Sequence, residues 1–456
     1  MEVKTIVAPM TSPGVSAVAA LRVSGAKVRL VVKALFGDRA CSALKPRVAN
    51  LGVAKDFRTG LVIDSLLYIF FEGPNSYTGE DVLELYPHGN PLIVRNLVEC
   101  IRCIEDVRLA EPGEFTRRAF LNGKMDLAQA ESVADVIHSA NYAELRNAHR
   151  LLSGALSKKV QNLTEQVKDI SMRLELDVDF AEEEADPDFG AWEGKISSIR
   201  ECVLGLLKSF RSSASVRRLP LAVLYGEPNA GKSSLVNALL GEDRILVSDI
   251  PGTTRDFVEV RLFLPEGEIR LVDTAGIADT ATDSLDALSM EKSREILEEA
   301  DLKILVVDGS VGVTKMDKRY VPDLILLSKC DLTDCENSMQ ASLSKMPPEL
   351  CGKEILRVSA KTGSGLDSLN EFMNSKLFAH VENSNDLWIT SEREKVCLEE
   401  ALAGIERALE LLRTNPAVEL LAFEMQLVRR SLQSIVGEIS SEDILQSIFA
   451  GFCIGK

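Results

Sequence analysis

Gly226-Glu-Pro-Asn-Ala-Gly-Lys-Ser-Ser234 is a complete G-x-x-x-x-G-K-S phosphate loop. An apolar run, Leu219–Tyr225, precedes it, and a helix-like run, Ser233–Leu240, follows. Strand, loop and helix in that order are the setting the motif needs. The glycines let the backbone curl so that successive N–H groups face a polyphosphate, and the helix behind adds its positive dipole end. Lys232 is expected to reach the β- and γ-phosphates and Ser233 to ligate Mg²⁺. The loop reads as nucleotide binding without saying which base.

Four further elements follow in the order a guanine-nucleotide site requires. Asp249-Ile-Pro-Gly-Thr-Thr-Arg-Asp256 is a turn-rich loop, and Thr254 is the threonine expected to complete the Mg²⁺ shell. Ile269–Val272 is a short apolar strand running into Asp273-Thr-Ala-Gly276. Asp273 is expected to hold the metal through water, and the Gly276 N–H to sense the γ-phosphate, with Thr274 and Ala275 between them. Lys303–Asp308 and Leu324–Leu327 read as buried parallel strands. The second ends in Ser328-Lys-Cys-Asp331. A carboxylate there accepts from guanine N1–H and the exocyclic amine, which adenine does not offer. Lys329 is expected to cover the base plane beside Cys330. Ile355–Val358 leads into Ser359, Ala360 and Lys361, where a backbone N–H is positioned to bind the guanine O6. Together these five elements make GTP the expected ligand.

The rest of the chain has two other textures. Residues 1–120 mix strand-like runs (Thr5–Pro9, Ala17–Val23, Leu66–Phe71) with turn clusters and one apolar helix-like run, Pro91–Cys103. This predicts an α+β domain. Residues 121–216 show apolar positions at helical spacing, from Leu127 and Val133 to Leu152 and Leu156, interrupted by the acidic run Asp177–Asp188. Residues 217–378 alternate strands and helices as a doubly wound α/β sheet does. Residues 379–456 are helical again through Glu392–Leu412 and Pro416–Gly437. The simplest architecture is a helical domain made of two segments with the nucleotide domain inserted between them.

Composition narrows the function further. The 456 residues carry 52 Lys and Arg against 69 Asp and Glu, a formal net charge of −17. That balance argues against a surface coated for nucleic acid. No run of 18 apolar residues and no secretory leader is visible, so no membrane association is expected. Nine cysteines at scattered spacing and four histidines fit a reducing, cytoplasmic setting. Cys100-Ile-Arg-Cys103 is the one C-x-x-C and has no second pair to complete a metal site; it reads as two small residues on one amphipathic helix.

At this point a resemblance becomes specific. The chain resembles the MnmE (TrmE) tRNA-modification GTPases along its whole length. The carrying motifs are Thr5-Ile-Val-Ala-Pro, Ser12-Pro-Gly, Leu21-Arg-Val-Ser-Gly25, Tyr77-Thr-Gly-Glu-Asp81 and Glu84-Leu-Tyr-Pro-His-Gly89. To these add the run Pro112–Glu131 and the terminal Phe452-Cys-Ile-Gly-Lys456. The resemblance implies a homodimer whose N-terminal domains bind 5-formyl-tetrahydrofolate. It implies a heterotetramer with the flavin-using partner MnmG (GidA). It also implies modification of wobble uridine C5 in certain tRNAs, with methylene-tetrahydrofolate as one-carbon donor. Carried onto matching positions, the folate site uses Arg22, Glu84, Lys124 and Lys456, with Cys453 near the one-carbon carrier.

The same resemblance implies a GTPase activated by G-domain dimerisation and K⁺. Asn229 matches the potassium-ligand position, with Ser248, Ile250 and Thr253 supplying further oxygens. Nucleotide contacts are implied across Asn229, Ala230, Gly231, Lys232, Ser233, Ser234, and across Ser248, Asp249, Ile250, Pro251, Gly252, Thr253 and Thr254. Three departures stand out. Ser328 replaces the usual Asn, which predicts weaker guanine binding. Asp286 aligns with the family's catalytic glutamate and is one methylene shorter. Ala278 replaces an arginine. A different functional class, a GTP-dependent ribosome-assembly or signalling switch, shares the GTPase core but has no use for the folate-type N-terminal motifs.

Overall fold

The computed structural model describes residues 4–179, 189–211, 218–241, 258–274, 294–310, 320–332, 352–378, 387–414, 417–439, 442–453 and 455. The chain divides into two compact units. One comprises Met1–Ile137, Ala148–Phe210 and Leu387–Lys456; the other comprises His138–Asn147 and Arg211–Asp386.

The N-terminal part of the first unit is built from β1 (Thr5–Pro9), β2 (Ser16–Val18), β3 (Leu21–Ser24), α1 (Val28–Phe36) and α2 (Asp38–Ser42). It continues with β4 (Ala49–Lys55), β5 (Val62–Phe71), β6 (Val82–Tyr86), β7 (His88–Gly89), α3 (Pro91–Arg102), β8 (Val107–Leu109) and α4 (Glu114–Leu121). Six strands form one sheet in the order β4-β5-β6-β3-β1-β8. Strand alternation decides its two faces. Val7, Leu21, Val23, Leu66, Tyr68, Phe70, Leu83 and Leu85 point to a core closed by α1 and α3. The opposite face carries the cross-strand row Ala49, Ile69, Glu84, Arg22 and Ala8. The expected run Ala17–Val23 is two strands, because β2 pairs with β7 in a separate two-stranded sheet and the ladder breaks at Ala19 and Ala20 before β3.

The helical part uses α5 (Leu127–His138), α6 (Tyr142–Leu152), α7 (Ala155–Asp179) and α8 (Phe189–Lys208) before the inserted unit. Apolar residues of α7 and α8, such as Leu163, Val167, Ile196 and Val203, join Leu398, Ile405, Met425 and Leu432 from the C-terminal helices in one core. Most of the acidic run at 177–188 lies outside the described residues.

The second unit holds β9 (Leu221–Tyr225), α9 (Lys232–Leu240), β10 (Val258–Leu264), β11 (Gly267–Asp273), β12 (Leu302–Asp308), β13 (Leu324–Ser328), β14 (Glu354–Arg357) and α10 (Leu366–Leu377). The sheet order is β10-β11-β9-β12-β13-β14, with β10 antiparallel and the other neighbours parallel. Both faces are buried, as parallel strands require. Ala222, Leu224, Ile304 and Val306 face one layer; Leu221, Val223, Tyr225, Leu305 and Val307 face the other. The chain then returns to the first unit as α11 (Glu392–Thr414), α12 (Val418–Val436) and α13 (Glu442–Ala450).

A buried ionic cluster ties α5 to α11 and α12. Arg393 donates to both oxygens of Glu131 at 3.0 and 2.9 Å and to the carbonyls of Ser434 and Ile435 at 2.7 and 3.0 Å. Beside it Glu394 is buried, and its Oε2 has no hydrogen-bond partner among the described residues. Burial, reinforced by the nearby Glu131 carboxylate, holds the Glu394 pKa well above the usual carboxylate range. Its folded pKa is raised, so its contribution to stability is present at acid pH and is lost as pH rises through the folded value. Glu394→Gln keeps the shape of the protonated acid and removes that loss. The variant should therefore melt above the parent by a margin that widens from about pH 5 to about pH 8. Thermal melts across that range check it, and a margin independent of pH contradicts it.

Candidate nucleotide and folate sites

The phosphate loop closes against the sheet. Gly226 has φ +144°, and a Cβ there would lie 2.2 Å from the Val306 carbonyl oxygen, so only glycine lets β9 leave the sheet beside β12. Asn229 and Gly231 also take left-handed backbone, with φ 62° and 93°. That curl delivers the chain into α9, whose first residues are Lys232, Ser233 and Ser234 and whose opening N–H groups face the loop. Lys232 is buried, and its Nζ donates to the carbonyls of Gly226 and Glu227, both at 2.8 Å. Burial is the main cause that pulls its pKa below the usual lysine value. The ammonium is thus held over the cavity of the loop.

Ser233 Oγ donates to Asp273 Oδ2 at 2.6 Å, across 40 positions of sequence. A hydroxyl and a carboxylate side by side at the ends of α9 and β11 are hard oxygen donors, the chemistry that suits Mg²⁺. Thr274 anchors the next residue by donating from its hydroxyl to the Leu224 carbonyl at 2.9 Å. Ala275 and Gly276, the loop Ser248–Thr254 and Asp286 lie outside the described residues.

The segment expected to read the base sits at the carboxyl ends of β13 and β14. Asp331 is exposed, and its Oδ1 accepts from Ser359 Oγ at 2.7 Å. That hydrogen bond lowers the Asp331 pKa and fixes the direction of the carboxylate. Ser359 itself is anchored twice more: its N–H donates to the Ser364 carbonyl, and its hydroxyl accepts from Thr362 N–H. The Ser359 N–H is therefore committed, and the donor expected for guanine O6 falls to Ala360 or Lys361. Lys329 stands in left-handed backbone at φ 56° and reaches Asp308 Oδ2 at 2.8 Å. Burial alone would raise the Asp308 pKa, but the Lys329 ammonium and the Ser310 donors outweigh it and hold the carboxyl below its usual value. Asp308 was not legible as a site residue. Its signal is its place at the end of a strand next to the one carrying the base-reading motif.

Ser328 joins the two halves of the site. Its buried hydroxyl lies 2.5 Å from the Ala230 carbonyl and 3.1 Å from the Val307 carbonyl, so its single proton is spent on the protein. The short side chain thus braces the phosphate loop. Removing it as Ser328→Ala leaves the Ala230 carbonyl without that donor, at a cost of about 1–3 kcal/mol. Nucleotide affinity should fall several-fold with a small drop in melting temperature. Titration calorimetry measures the first, and unchanged affinity sinks the bracing role.

The predicted folate residues come together in part. Arg22 and Glu84 are direct partners on β3 and β6, with Arg22 Nε and Nη2 at 3.1 and 2.9 Å from Glu84 Oε1. Tyr86 donates to Glu84 Oε2 at 2.5 Å. The Arg22 guanidinium lies 4.6 Å from the Tyr77 ring centre and 5.6 Å from that of Phe115. Its Nη1 is buried with no hydrogen-bond partner among the described residues. Lys124 lies elsewhere on the 73–81 loop, with Nζ on the Pro74 carbonyl at 2.9 Å. Lys456 lies outside the described residues, but Gly455 is packed on β1: a Cβ there would be 2.1 Å from the Pro9 carbonyl. Gly455 thus lies beside β1, which pairs with β3 at Arg22. Tyr77, Tyr86 and Phe115 are additions to the expected set.

The family description "MnmE helical domain" matches residues 127–453, and "GTP-binding protein TrmE N-terminus" matches residues 5–124. The chain belongs to the MnmE family of tRNA modification GTPases. It is similar to the family's protein from Aquifex aeolicus, with 38% identity over 99% of both chains. The Shewanella oneidensis protein is 36% identical over the full length of both. Among solved structures, Aquifex aeolicus Era overlaps 41% of this chain and 67% of its own at 26% identity and a TM-score of 0.30, a fit too loose to add to the family assignment. Membership agrees with the expected fold class: an α+β N-terminal domain, a helical domain in two segments and a doubly wound G domain. Among the described residues no helix is long and apolar enough to cross a membrane.

Proposed function

We propose that this chain binds and hydrolyses GTP to drive modification of tRNA at C5 of the wobble uridine. It acts with MnmG (GidA) in the cytoplasm as a homodimer. The observation that supports the reading is the hydrogen bond from Ser328 to the phosphate loop at Ala230, which sets the loop of Lys232 and the Ser233–Asp273 pair beside the segment carrying the Ser359–Asp331 pair. It offers a cation and a metal-binding oxygen pair to phosphates and an exposed carboxylate to a purine. Mg²⁺ belongs with Ser233 and Asp273, with Thr254 completing its shell. K⁺ belongs with Asn229, Ser248, Ile250 and Thr253, and Asp286 serves catalysis. The division at 1–120, 121–216, 217–378 and 379–456 assigns folate binding, the split helical scaffold and the G domain to separate segments.

A reduced folate suits the first segment. Arg22 Nη1, without a hydrogen-bond partner among the described residues, and the Tyr77 and Phe115 rings beside it offer a cation and stacking surfaces to a flat heterocycle with an acidic tail. Glu84, Lys124 and Lys456 complete the set. The same sheet face is apolar beyond Glu84: Leu51 is 74% exposed, and Leu67 and Val53 are also open to solvent. Paired rows on β4, β5 and β6 make this one contiguous surface, the kind that a second copy covers. Leu51→Arg combined with Leu67→Glu is expected to convert a dimer to a monomer in light scattering; a dimer that survives both changes excludes this face.

The deciding experiment measures K⁺-dependent GTP hydrolysis by the purified protein and the modified nucleosides of tRNA from cells lacking it. Loss of wobble-uridine modification with hydrolysis stimulated by K⁺ is expected. Normal modification in those cells overturns the reading.

A further inference from the structure

The pair Cys100 and Cys103, which the nucleotide and folate sites do not use, occupies the last turn of α3. Cys103 caps that helix in right-handed backbone, and its N–H donates to the Cys100 carbonyl at 3.2 Å. Residues three apart on such a turn stand on one face with their Cβ atoms about 5–6 Å apart; the turn holds their Cα atoms within the ~4.4–6.8 Å that a disulfide spans, and the helix end must close by about 1–2 Å to bring the Cβ atoms to the ~3.5–4.5 Å of the bridged pair. The two thiols differ in surroundings. Cys100 is fully buried in the core of the N-terminal sheet, whereas Cys103 is exposed.

The turn between β4 and β5 reaches both sulfurs. Arg58 Nη1 lies 3.0 Å from Cys103 Sγ. Arg58 is held for this contact by Asp56, whose Oδ1 and Oδ2 accept its Nε and Nη2 at 2.9 and 2.7 Å. The Asp56–Arg58 pair is close to neutral as a whole, so what acts on Cys103 is the directed N–H donor. Cys100 Sγ also lies 3.9 Å from Asp56 Oδ1.

We propose that Cys100 and Cys103 form a peroxide-reactive dithiol site, with Cys103 the sulfur oxidised first and Cys100 the resolving thiol. The exposed Cys103 thiolate, with Arg58 donating to it, attacks one oxygen of a hydroperoxide. An S–O bond forms, the O–O bond breaks, and the departing oxygen takes a proton and leaves as water or an alcohol. Cys103 is then a sulfenic acid, oxidised by two electrons, and the peroxide is reduced by two. Cys100 attacks the Cys103 sulfur, the S–S bond forms as the S–O bond breaks, and the Cys100 proton leaves with the hydroxyl as water. Burial, which keeps Cys100 protonated by raising its pKa, agrees with that order. Closing the disulfide removes Cys103 Sγ as a thiolate acceptor for Arg58, and small thiols reverse it.

Trypsin cuts after Arg102, between the two cysteines, so the disulfide is read directly. The full-length protein is treated with hydrogen peroxide, its free thiols are blocked, and it is digested. The expected product is Asn96–Arg102 joined to Cys103–Arg108, released by dithiothreitol. In Cys100→Ser, Cys103 should instead be trapped by a sulfenic-acid reagent. Arg58→Met should slow the reaction at Cys103 several-fold, while Cys41 and Cys453 react as before. Cys103 that stays open to alkylation while Cys453 is oxidised overturns the proposal. So does a wild-type Cys103 sulfenic acid that never closes onto Cys100.

Discussion

Replacing Asp331 with asparagine should lower affinity for GTP by about three orders of magnitude and transfer the preference to xanthosine triphosphate. The carboxylate is exposed at the end of β13, where it can accept two donors from one purine edge. Guanine offers N1–H and the 2-amino group. An asparagine amide accepts one and sets its own NH₂ against the other. Xanthine has a carbonyl at that carbon, so the same amide matches it. The Ser359 hydroxyl can still donate to an asparagine oxygen, so the direction of the side chain survives the exchange. Competition between the two triphosphates for a fluorescent nucleotide reads the inversion. Unchanged GTP preference would show that another group reads the base. The parent's preference should also be flat from about pH 5 to about pH 8. The Ser359 hydrogen bond depresses the carboxyl pKa, so the charge is lost only when pH falls through a value below that of a free aspartate.

Lys232→Met should abolish hydrolysis, by about a thousandfold or more, and weaken GTP binding by about a hundredfold. Its ammonium is enclosed by the loop and donates to two carbonyls of that loop at 2.8 Å. Such a group needs little reorganisation to meet β- and γ-phosphate oxygens, and charge-assisted bonds of this kind contribute about 1.5–3 kcal/mol each. Methionine fills similar space without charge. The Gly226 and Glu227 carbonyls lose a donor, but a buried charge is also removed, and these effects on folding oppose one another. The variant should melt within a few degrees of the parent. Single-turnover hydrolysis at saturating GTP separates chemistry from binding, and a rate near the parent's would show that Lys232 does not touch the transferring phosphate. Arginine should not rescue it, because a planar fork does not fit where a compact ammonium is enclosed by carbonyls.

Much of the nucleotide site was legible because its parts are local. A loop that must curl around phosphate needs glycine at fixed offsets, and the Gly226 carbonyl clash shows why no other residue stands there. The strands Thr5–Pro9 and Leu324–Ser328 were marked by continuous or alternating apolar residues and match within a residue. Ser328 was read as a weakness, since its arm is shorter than asparagine. In the fold it reaches Ala230, 98 positions away, because β13 ends beside the phosphate loop. No pattern in the sequence carries that distance. Cys100 and Cys103 were read as two small residues on one amphipathic helix. Helix α3 does bury Cys100, but its last turn leaves Cys103 in solvent beside Arg58.

What the sequence determined by itself was chemistry that is complete within a few residues: the phosphate-loop pattern, the Ser-Lys-Cys-Asp expected to read the base, and the alternation of strands and helices that makes the G domain mostly parallel and doubly wound. Tertiary structure alone decided which distant groups face one another. Glu84 meets Arg22 across 62 positions because β6 lies against β3 in one register, and a slip of one residue would turn both into the opposite face. Glu394 has its pKa held above the usual carboxylate range because packing of α11 against its neighbours buries it, which its place in a charged helical run does not show. Local motifs state what a residue can do; strand register and helix packing determine what it is given to act upon.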